Sequence, residues 1–149
     1  MENLTILLAQ TSNIIEIVAL LQDDELGKTR ETANVEQYTQ ALKAIIAAEN
    51  NEFYLAFIDH EIVGCFQLTI IPSLSRGAST RAQIESVRVK SDFRGQGIGR
   101  EMMNWAIAYS AYIGCNLVQL TTDKTRDKAY DFYMELGFEP SHIGMKLHI

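Results

Sequence analysis

Hydrophobic positions in this chain follow two different periods, and each change of period marks an element. Residues 5–10, "TILLAQ", form a short apolar run that predicts a first strand. In residues 13–24, Ile14, Ile17, Val18 and Leu21 fall at i, i+3, i+4 and i+7, one face of a helix with Ser12 as its expected N-cap. A polar connector over 24–34, containing Gly27, leads to a second helix over 35–48 with its stripe at Tyr38, Leu42, Ile45 and Ile46. Residues 53–71 hold two β-rich runs about the polar turn Asp59-His60-Glu61, the pattern of a hairpin. A loop over 72–80 precedes a strand over 81–90. Ile98 to Ile113 predicts a helix with Ile98, Met102, Trp105, Tyr109 and Ile113 on one broad face and Gly114 as its stop. A strand over 116–122 follows, then a helix over 126–136 with Ala129, Phe132, Tyr133 and Leu136 on its face and Gly137 at its end. The tail, "HIGMKLHI", reads as a last strand. This order predicts an α/β sandwich on a mixed sheet.

Composition narrows the classes. At 149 residues, with no repeat, linker or low-complexity tract, the chain reads as one domain, 1–149. A net charge of -6 argues against nucleic acid as partner, which calls for a basic footprint. No run of about 18 uncharged apolar residues is present to span a membrane, and the first residues lack the basic start of a signal peptide. Cys65 and Cys115 stand far apart in apolar settings, and two buried thiols in a reduced cytoplasm are expected. His60 lies in a turn and His142 and His148 in the tail, without ligand spacing, so no metal is expected.

The chemistry concentrates in "VRVKSDFRGQGIGREMM", Val87 to Met103. Gly95, Gly97 and Gly99 occupy alternate positions at the mouth of a helix. A P-loop would need a lysine that is missing, and a dinucleotide fingerprint would need G-x-G-x-x-G near the first strand. The physics is nonetheless shared. Glycine permits positive φ and lets backbone approach a ligand. The first turn of a helix offers unsatisfied N–H groups and a partial positive charge. With Arg94 and Arg100 beside it, the segment predicts a cradle for phosphate or pyrophosphate.

These residues carry a resemblance. Arg94-Gly95-Gln96-Gly97-Ile98-Gly99 matches the Arg/Gln-x-x-Gly-x-Gly/Ala signature of the GNAT superfamily of acyl-CoA-dependent N-acetyltransferases. "IESVRV" (84–89) looks like that family's central strand, "DHEIVG" (59–64) like its β2–β3 turn, and "AYDFYMELGF" (129–138) like its closing element. The resemblance implies a mixed, mostly antiparallel sheet of six to seven strands flanked by about four helices and splayed at its central strands. It implies acetyl-CoA as co-substrate and no metal. The pyrophosphate would lie on the N–H groups of Gly95, Gln96, Gly97, Ile98, Gly99 and Arg100, beside Arg94. The pantetheine arm would pair with the backbone of Val87, Arg88 and Val89, and an N–H near Val87 or Val89 would face the thioester carbonyl.

Amine attack on a thioester needs a base for the amine proton and an acid for the leaving thiolate. Glu85, read on the strand face of Val87 and Val89 in an apolar setting, is the candidate base; the alternative is a partly solvated strand glutamate. The resemblance puts Tyr133 near the sulfur as acid, a role compatible with packing in the helix's apolar face. Arg126 stands where many relatives carry an asparagine that contacts the pantetheine arm; it would meet a phosphate or carbonyl there, or point into solvent.

The expected acceptor is the primary amine of a small molecule. Residues 21–38 are net acidic, with Asp23, Asp24, Glu25, Glu31 and Glu36, and would attract a cationic amine. Residues 72–81 carry Arg76 and Arg81 and would hold an anionic group. Both segments read equally as solvated loops. A protein N-terminus or lysine as acceptor, and a non-catalytic coenzyme A-binding regulatory module, remain the alternatives. A cytoplasmic location is expected, and the sequence leaves a homodimer open.

Overall fold

The structure, a computed structural model, describes residues 3–149; residues 1 and 2, part of the start read above for a leader, lie outside it. By compactness the chain divides into one unit ending at Gln119 and a second, Leu120–Ile149.

The first unit is built on strands β1 (Thr5–Leu8), β2 (Asn51–Ile58), β3 (Glu61–Ile71), β4 (Arg81–Val89) and β5 (Leu117–Gln119), which lie in that order in one sheet. The first four pair antiparallel and β5 runs parallel to β4. The β2–β3 hairpin turns through Asp59 and His60, both at positive φ (47° and 70°), a tight reversal that suits the twist of its strands. Helices α1 (Ile14–Gln22), α2 (Gly27–Arg30) and α3 (Val35–Ala47) precede β2; α5 (Ile98–Tyr112) joins β4 to β5. Between β3 and β4 sits α4 (Ser75–Ala78), a single turn in which Arg76, Gly77 and Ala78 take left-handed φ of 54°, 72° and 59°.

Two hydrophobic layers cover the sheet. Against one face, Ile14, Ile17 and Leu20 of α1 and Leu42 of α3 pack with Phe53, Leu55 and Cys65. On the opposite face Met102 lies over Gly64, whose added Cβ would stand 2.6 Å from the Met102 sulfur and 2.9 Å from the Arg88 carbonyl oxygen. There Tyr54, Phe66, Trp105 and Tyr109 form one aromatic cluster, with Tyr54 and Phe66 stacked at 5.2 Å and Trp105 and Tyr109 at 5.1 Å. The Tyr54 hydroxyl donates to Glu52 Oε2 at 2.6 Å, and burial is the main cause of its raised pKa.

Several expectations are corrected. Among the described residues the sheet has five strands and the chain six α-helices, against six to seven and about four. The count of strands falls because residues 140–149 hold no regular secondary structure: a strand needs an edge to pair with, which alternation of side chains does not supply. The strand over 116–122 shortens to three residues. The connector over 24–34 contains α2, whose first N–H, from Gly27, is taken by the Asp24 carboxylate. Ser12 caps nothing by its side chain; it lies in a 3₁₀ turn over Thr11–Asn13, where the Gln10 N–H donates to Asn13 Oδ1 at 2.9 Å. The buried row of α5 is Ile98, Met102, Met103, Ala106 and Ser110, with Trp105 and Tyr109 at its flank. Buried Ser110 is tolerated because its Oγ donates to the Ala106 carbonyl at 2.7 Å.

Cys65 is fully buried and Cys115 half-buried. Burial pushes the Cys65 thiol up to about 12, against a modest opposing effect of Arg88.

Two measurements check this packing. Gly64→Ala forces Met102 or the β4 backbone to shift, and a loss of about 1–3 kcal/mol in urea unfolding is expected; an unchanged midpoint would contradict the close approach of α5 to β3. The Cys65 thiol should resist thiol reagents until the protein unfolds. As pH rises from 9.0 toward about 12 the unfolded thiol ionises and the folded one keeps its proton, so stability falls across that window. Cys65→Ala should make the alkaline fall in urea midpoint shallower.

Candidate active site

The site is built around one irregularity in β4. Cys65 faces Arg88 and Gln67 faces Glu85, so one more residue lies between the pair on β4 than on β3. The extra residue is accommodated at Ser86, which takes φ 54°, and its carbonyl accepts the Cys65 thiol at 3.5 Å. The bulge changes which side chains share a face. Cys65 and Gln67 are two apart, so Glu85 and Arg88 lie with them on the α1–α3 face; Val89, opposite Gly64, lies on the α5 face. The regular alternation that puts Glu85 with Val87 and Val89 is therefore broken.

Pairing of β4 with β5 covers only Arg81–Gln83 against Leu117–Gln119. β5 ends at Gln119, opposite Gln83, and β4 runs on to Val89 without a β5 partner. Lys90 donates its N–H to Val63 at 2.8 Å on the β3 side, so the preceding N–H, that of Val89, is turned away from β3, to the edge that β5 leaves unpaired. Val87, Arg88 and Val89 are all half-buried there.

The glycine loop follows directly. Ser91–Phe93 make one 3₁₀ turn, Gly95 takes φ 73°, and Gly97 takes φ 86° as the N-cap of α5. A Cβ at Gly95 or Gly97 would meet no heavy atom within 4 Å. The glycines are thus required by backbone conformation and leave open space above the loop. Ile98 is buried and anchors the helix, Gly99 is half-buried, and Gln96 and Arg100 are exposed. Gln96 donates to the Asp92 carbonyl at 3.2 Å. The N–H groups of the first turn of α5 have no earlier helical carbonyl to bond.

Glu85 is exposed, which corrects the apolar setting expected for it. Its Oε1 accepts from Gln83 Nε2 at 2.9 Å, and Gln83 Oε1 accepts from Gln119 Nε2 at 2.8 Å. This amide relay crosses the last paired position of β4 and β5 and holds the carboxylate where the unpaired stretch of β4 begins. Neither glutamine carries a signal in the sequence; they meet because of strand register.

Arg88 and Arg94 are held by the end of α1. Arg88 Nε lies 3.0 Å from Asp24 Oδ2, an ion pair whose alignment falls short of a hydrogen bond. Arg94 reaches the Asp23 carbonyl, stands 3.6 Å from the Asp23 carboxylate, and donates from Nε to the Val89 carbonyl at 2.9 Å. Asp23 Oδ2 also accepts the Ser91 N–H at 2.7 Å. The two aspartates assigned to an acceptor wall are therefore committed to arginines of the β4–α5 passage. In the same connector Glu31 accepts the Tyr38 hydroxyl at 2.8 Å, which raises the tyrosine's pKa after burial has done so, and Glu25 pairs with Lys28 at 3.1 Å.

In the second unit, α6 (Asp127–Glu135) carries the other two candidates. Arg126 is the residue before its first turn and is half-buried; its N–H donates to the Asp123 carbonyl at 2.9 Å. A shallow depression of about 490 Å³ is lined by Thr125, Arg126, Asp127, Lys128 and Ala129. Tyr133 is half-buried between Phe132 and Phe138, with ring centroids 5.2 and 5.9 Å away. Another depression, of about 500 Å³, lies in the first unit between Leu4, Thr5 and Ile6 and the α5 residues Glu101, Asn104 and Trp105; none of the glycine-loop residues lines it.

Among the described residues no group of histidine, cysteine and carboxylate side chains could hold a metal ion, and no helix is long and apolar enough to cross a membrane.

Comparison with known proteins agrees with this geometry. The chain is 26% identical over 133 residues, 89% of its own length and 81% of the relative's, to an aminoalkylphosphonate N-acetyltransferase of Salmonella typhimurium. It is 33% identical over 88 residues, 59% of this chain and 58% of the relative, to a glucosamine 6-phosphate N-acetyltransferase of Trypanosoma brucei brucei. A crystal structure of a protein from Bacillus halodurans C-125, described as a transcriptional regulator, superposes with a TM-score of 0.93 at 44% identity, covering 98% of this chain and 99% of that one. The pattern of the Acetyltransferase (GNAT) family matches residues 15–138, from α1 through the bulged strand and glycine loop to the end of the Tyr133 segment, and the chain belongs to that family of acetyltransferases.

Proposed function

We propose that the protein moves an acetyl group from acetyl-CoA to the primary amine of a small molecule by direct attack. The observation that carries this reading is the open, positive-φ glycine loop at the mouth of α5, continuous with the stretch of β4 that β5 leaves uncovered. Such a loop suits a pyrophosphate: a Cβ at Gly95 or Gly97 would meet nothing within 4 Å, and the first turn of a helix offers N–H groups to an anion. Gly95, Gln96, Gly97, Ile98, Gly99 and Arg100 would hold the pyrophosphate, with the charge of Arg94 nearby. Val87, Arg88 and Val89 would offer backbone to the pantetheine arm, and Arg126 a guanidinium to a phosphate or carbonyl.

Coenzyme A supplies an activated acetyl group and a thiol leaving group. The chain's own residues do the rest. Glu85, oriented by Gln83, takes the proton that the amine must lose. The Val89 N–H, turned away from β3, donates to the carbonyl oxygen as negative charge develops on it. Tyr133 gives its proton to the departing sulfur, the role its place in the family motif suggests. The products are the N-acetyl amide and free coenzyme A. Residues 1–149 would act as one catalytic domain, a reading supported by a family match that runs through both compact units, and would work in the cytoplasm.

The acceptor class has two supports. The two named N-acetyltransferase relatives act, by name, on small molecules that pair an amine with a phosphorus oxyanion. This chain has Arg76 and Arg81, and no acid, in residues 72–81. An aminophosphonate or amino sugar phosphate fits that combination. Asp23 and Asp24 are occupied by arginines and Glu25 by Lys28, so attraction of the amine falls to Glu31, Glu36 and Glu85.

Acetyl-CoA at 100 times its Kd should stabilise the protein by about 2.7 kcal/mol. Gly97→Glu, which puts a side chain and a negative charge into the loop, should abolish the melting shift; a shift that survives the substitution refutes the pyrophosphate assignment. In thiol-release assays against a panel of aminophosphonates, amino sugar phosphates, polyamines and peptides, Tyr133→Phe should lower kcat by about 10²-fold with little change in acetyl-CoA affinity. Glu85→Gln should depress the rate most at and below neutral pH, where more of the amine is protonated. Preference for peptides over every small amine would refute the acceptor class, and wild-type pH–rate profiles in both variants would refute the two proton-transfer roles.

A further inference from the structure

The glycine loop has a mechanical problem. Gly95 and Gly97 hold left-handed conformations with no side chain of their own to pack and no neighbour within 4 Å of where a Cβ would stand. A free loop of this kind samples many states, and fixing it costs conformational entropy. Its shape has to be imposed from the residues just before it, and those residues are gripped by α1. Asp23 Oδ2 accepts the Ser91 N–H at 2.7 Å, across 68 residues of sequence. Arg94 spans two backbone carbonyls, those of Asp23 and Val89, with its Nη2 also 3.6 Å from the Asp23 carboxylate. The guanidinium is a rigid planar fork, so two bonds to carbonyls fixed by the end of a helix and the end of a strand settle its orientation. One residue along, Asp24 pairs with Arg88, and both side chains are 15% exposed, so the helix end cannot drift from β4 without parting that pair.

We propose that Asp23 is a positioning residue: it holds Ser91 and Arg94 so that the glycine loop has its donor-receiving shape before the donor arrives, and Arg94 acts through this brace. The proposal deepens the reading of the loop as a pyrophosphate cradle and rests on it. It differs in sign from the other role the residues permit, in which Asp23 competes with the donor's phosphates for the Arg94 guanidinium.

The sign decides the test. Asp23→Ala should raise the KM for acetyl-CoA about fivefold, the equivalent of one partly exposed charged pair, and leave kcat unchanged. Asp23→Asn keeps an oxygen for the Ser91 N–H and should recover part of the loss. Arg94→Ala should raise KM similarly, and the double variant should be no worse than the poorer single one, because both remove the same brace. In the ligand-free protein, amide exchange over residues 91–97 should quicken in Asp23→Ala and far less in Asp23→Asn. A KM for acetyl-CoA that falls or stays level in Asp23→Ala, effects of the two residues that multiply, or unchanged amide exchange would each overturn the proposal. Failure of the underlying reading looks different: wild-type protein that takes up no acetyl-CoA in calorimetry refutes the cradle, and the exchange measurement still reports on the brace.

Discussion

The bulge at Ser86 is the constraint from which the rest of the site follows. A non-glycine residue at φ 54° costs about 1–2 kcal/mol and persists because β3 pairs with β4 on both sides of it. By inserting one residue it sends Arg88 to the α1 side, where Asp24 meets it, and leaves Glu85 on that same side, in reach of Gln83. It also leaves Val89 opposite Gly64, with its N–H turned away from β3. Without the bulge the alternation of β4 would continue, and Arg88 would stand on the opposite face from Glu85.

Two ends of α-helices then converge on the end of β4. The C-terminal end of α1 brings Asp23 and Asp24; the N-terminal end of α5 brings a turn of N–H donors. An acid at a helix C-terminus opposes the helix dipole, so its placement there is unfavourable unless a cation meets it. Arg88 and Arg94 meet both. The same arrangement keeps the acids away from the loop's N–H groups, which remain open for an anion.

The two layers covering the sheet divide the labour. The aromatic cluster of Tyr54, Phe66, Trp105 and Tyr109, with Met102 against Gly64, fixes α5 and with it the direction of its first turn. The α1–α3 layer carries Asp23 and Asp24 at the end of α1. Between them β4 is the shared wall, giving backbone on one side and Glu85 with Arg88 on the other. A perturbation of either layer therefore reaches the site through β4.

Much of this was legible in the chain. Helix stripes, the hairpin, the glycine spacing and the family motifs are local patterns, and local patterns depend on side-chain period and on backbone conformations that few residues accept. Gly95 and Gly97 reveal themselves because a left-handed loop excludes most other residues. Other features were decided only in three dimensions. The tail from 142 to 149 alternates like a strand, yet a strand is a relation between two segments, and among the described residues none pairs with it. Asp23 and Asp24 read as free acidic charge because Ser91, Arg94 and Arg88 lie more than sixty residues away in sequence. Glu85 was placed on the wrong strand face because a serine, unlike a glycine, gives no sign that it will turn left-handed and shift the register. The sequence by itself determined the periods, the loop and the kind of chemistry; the tertiary structure decided which charges meet and which face each side chain takes, since both follow from register and from contacts between residues distant along the chain.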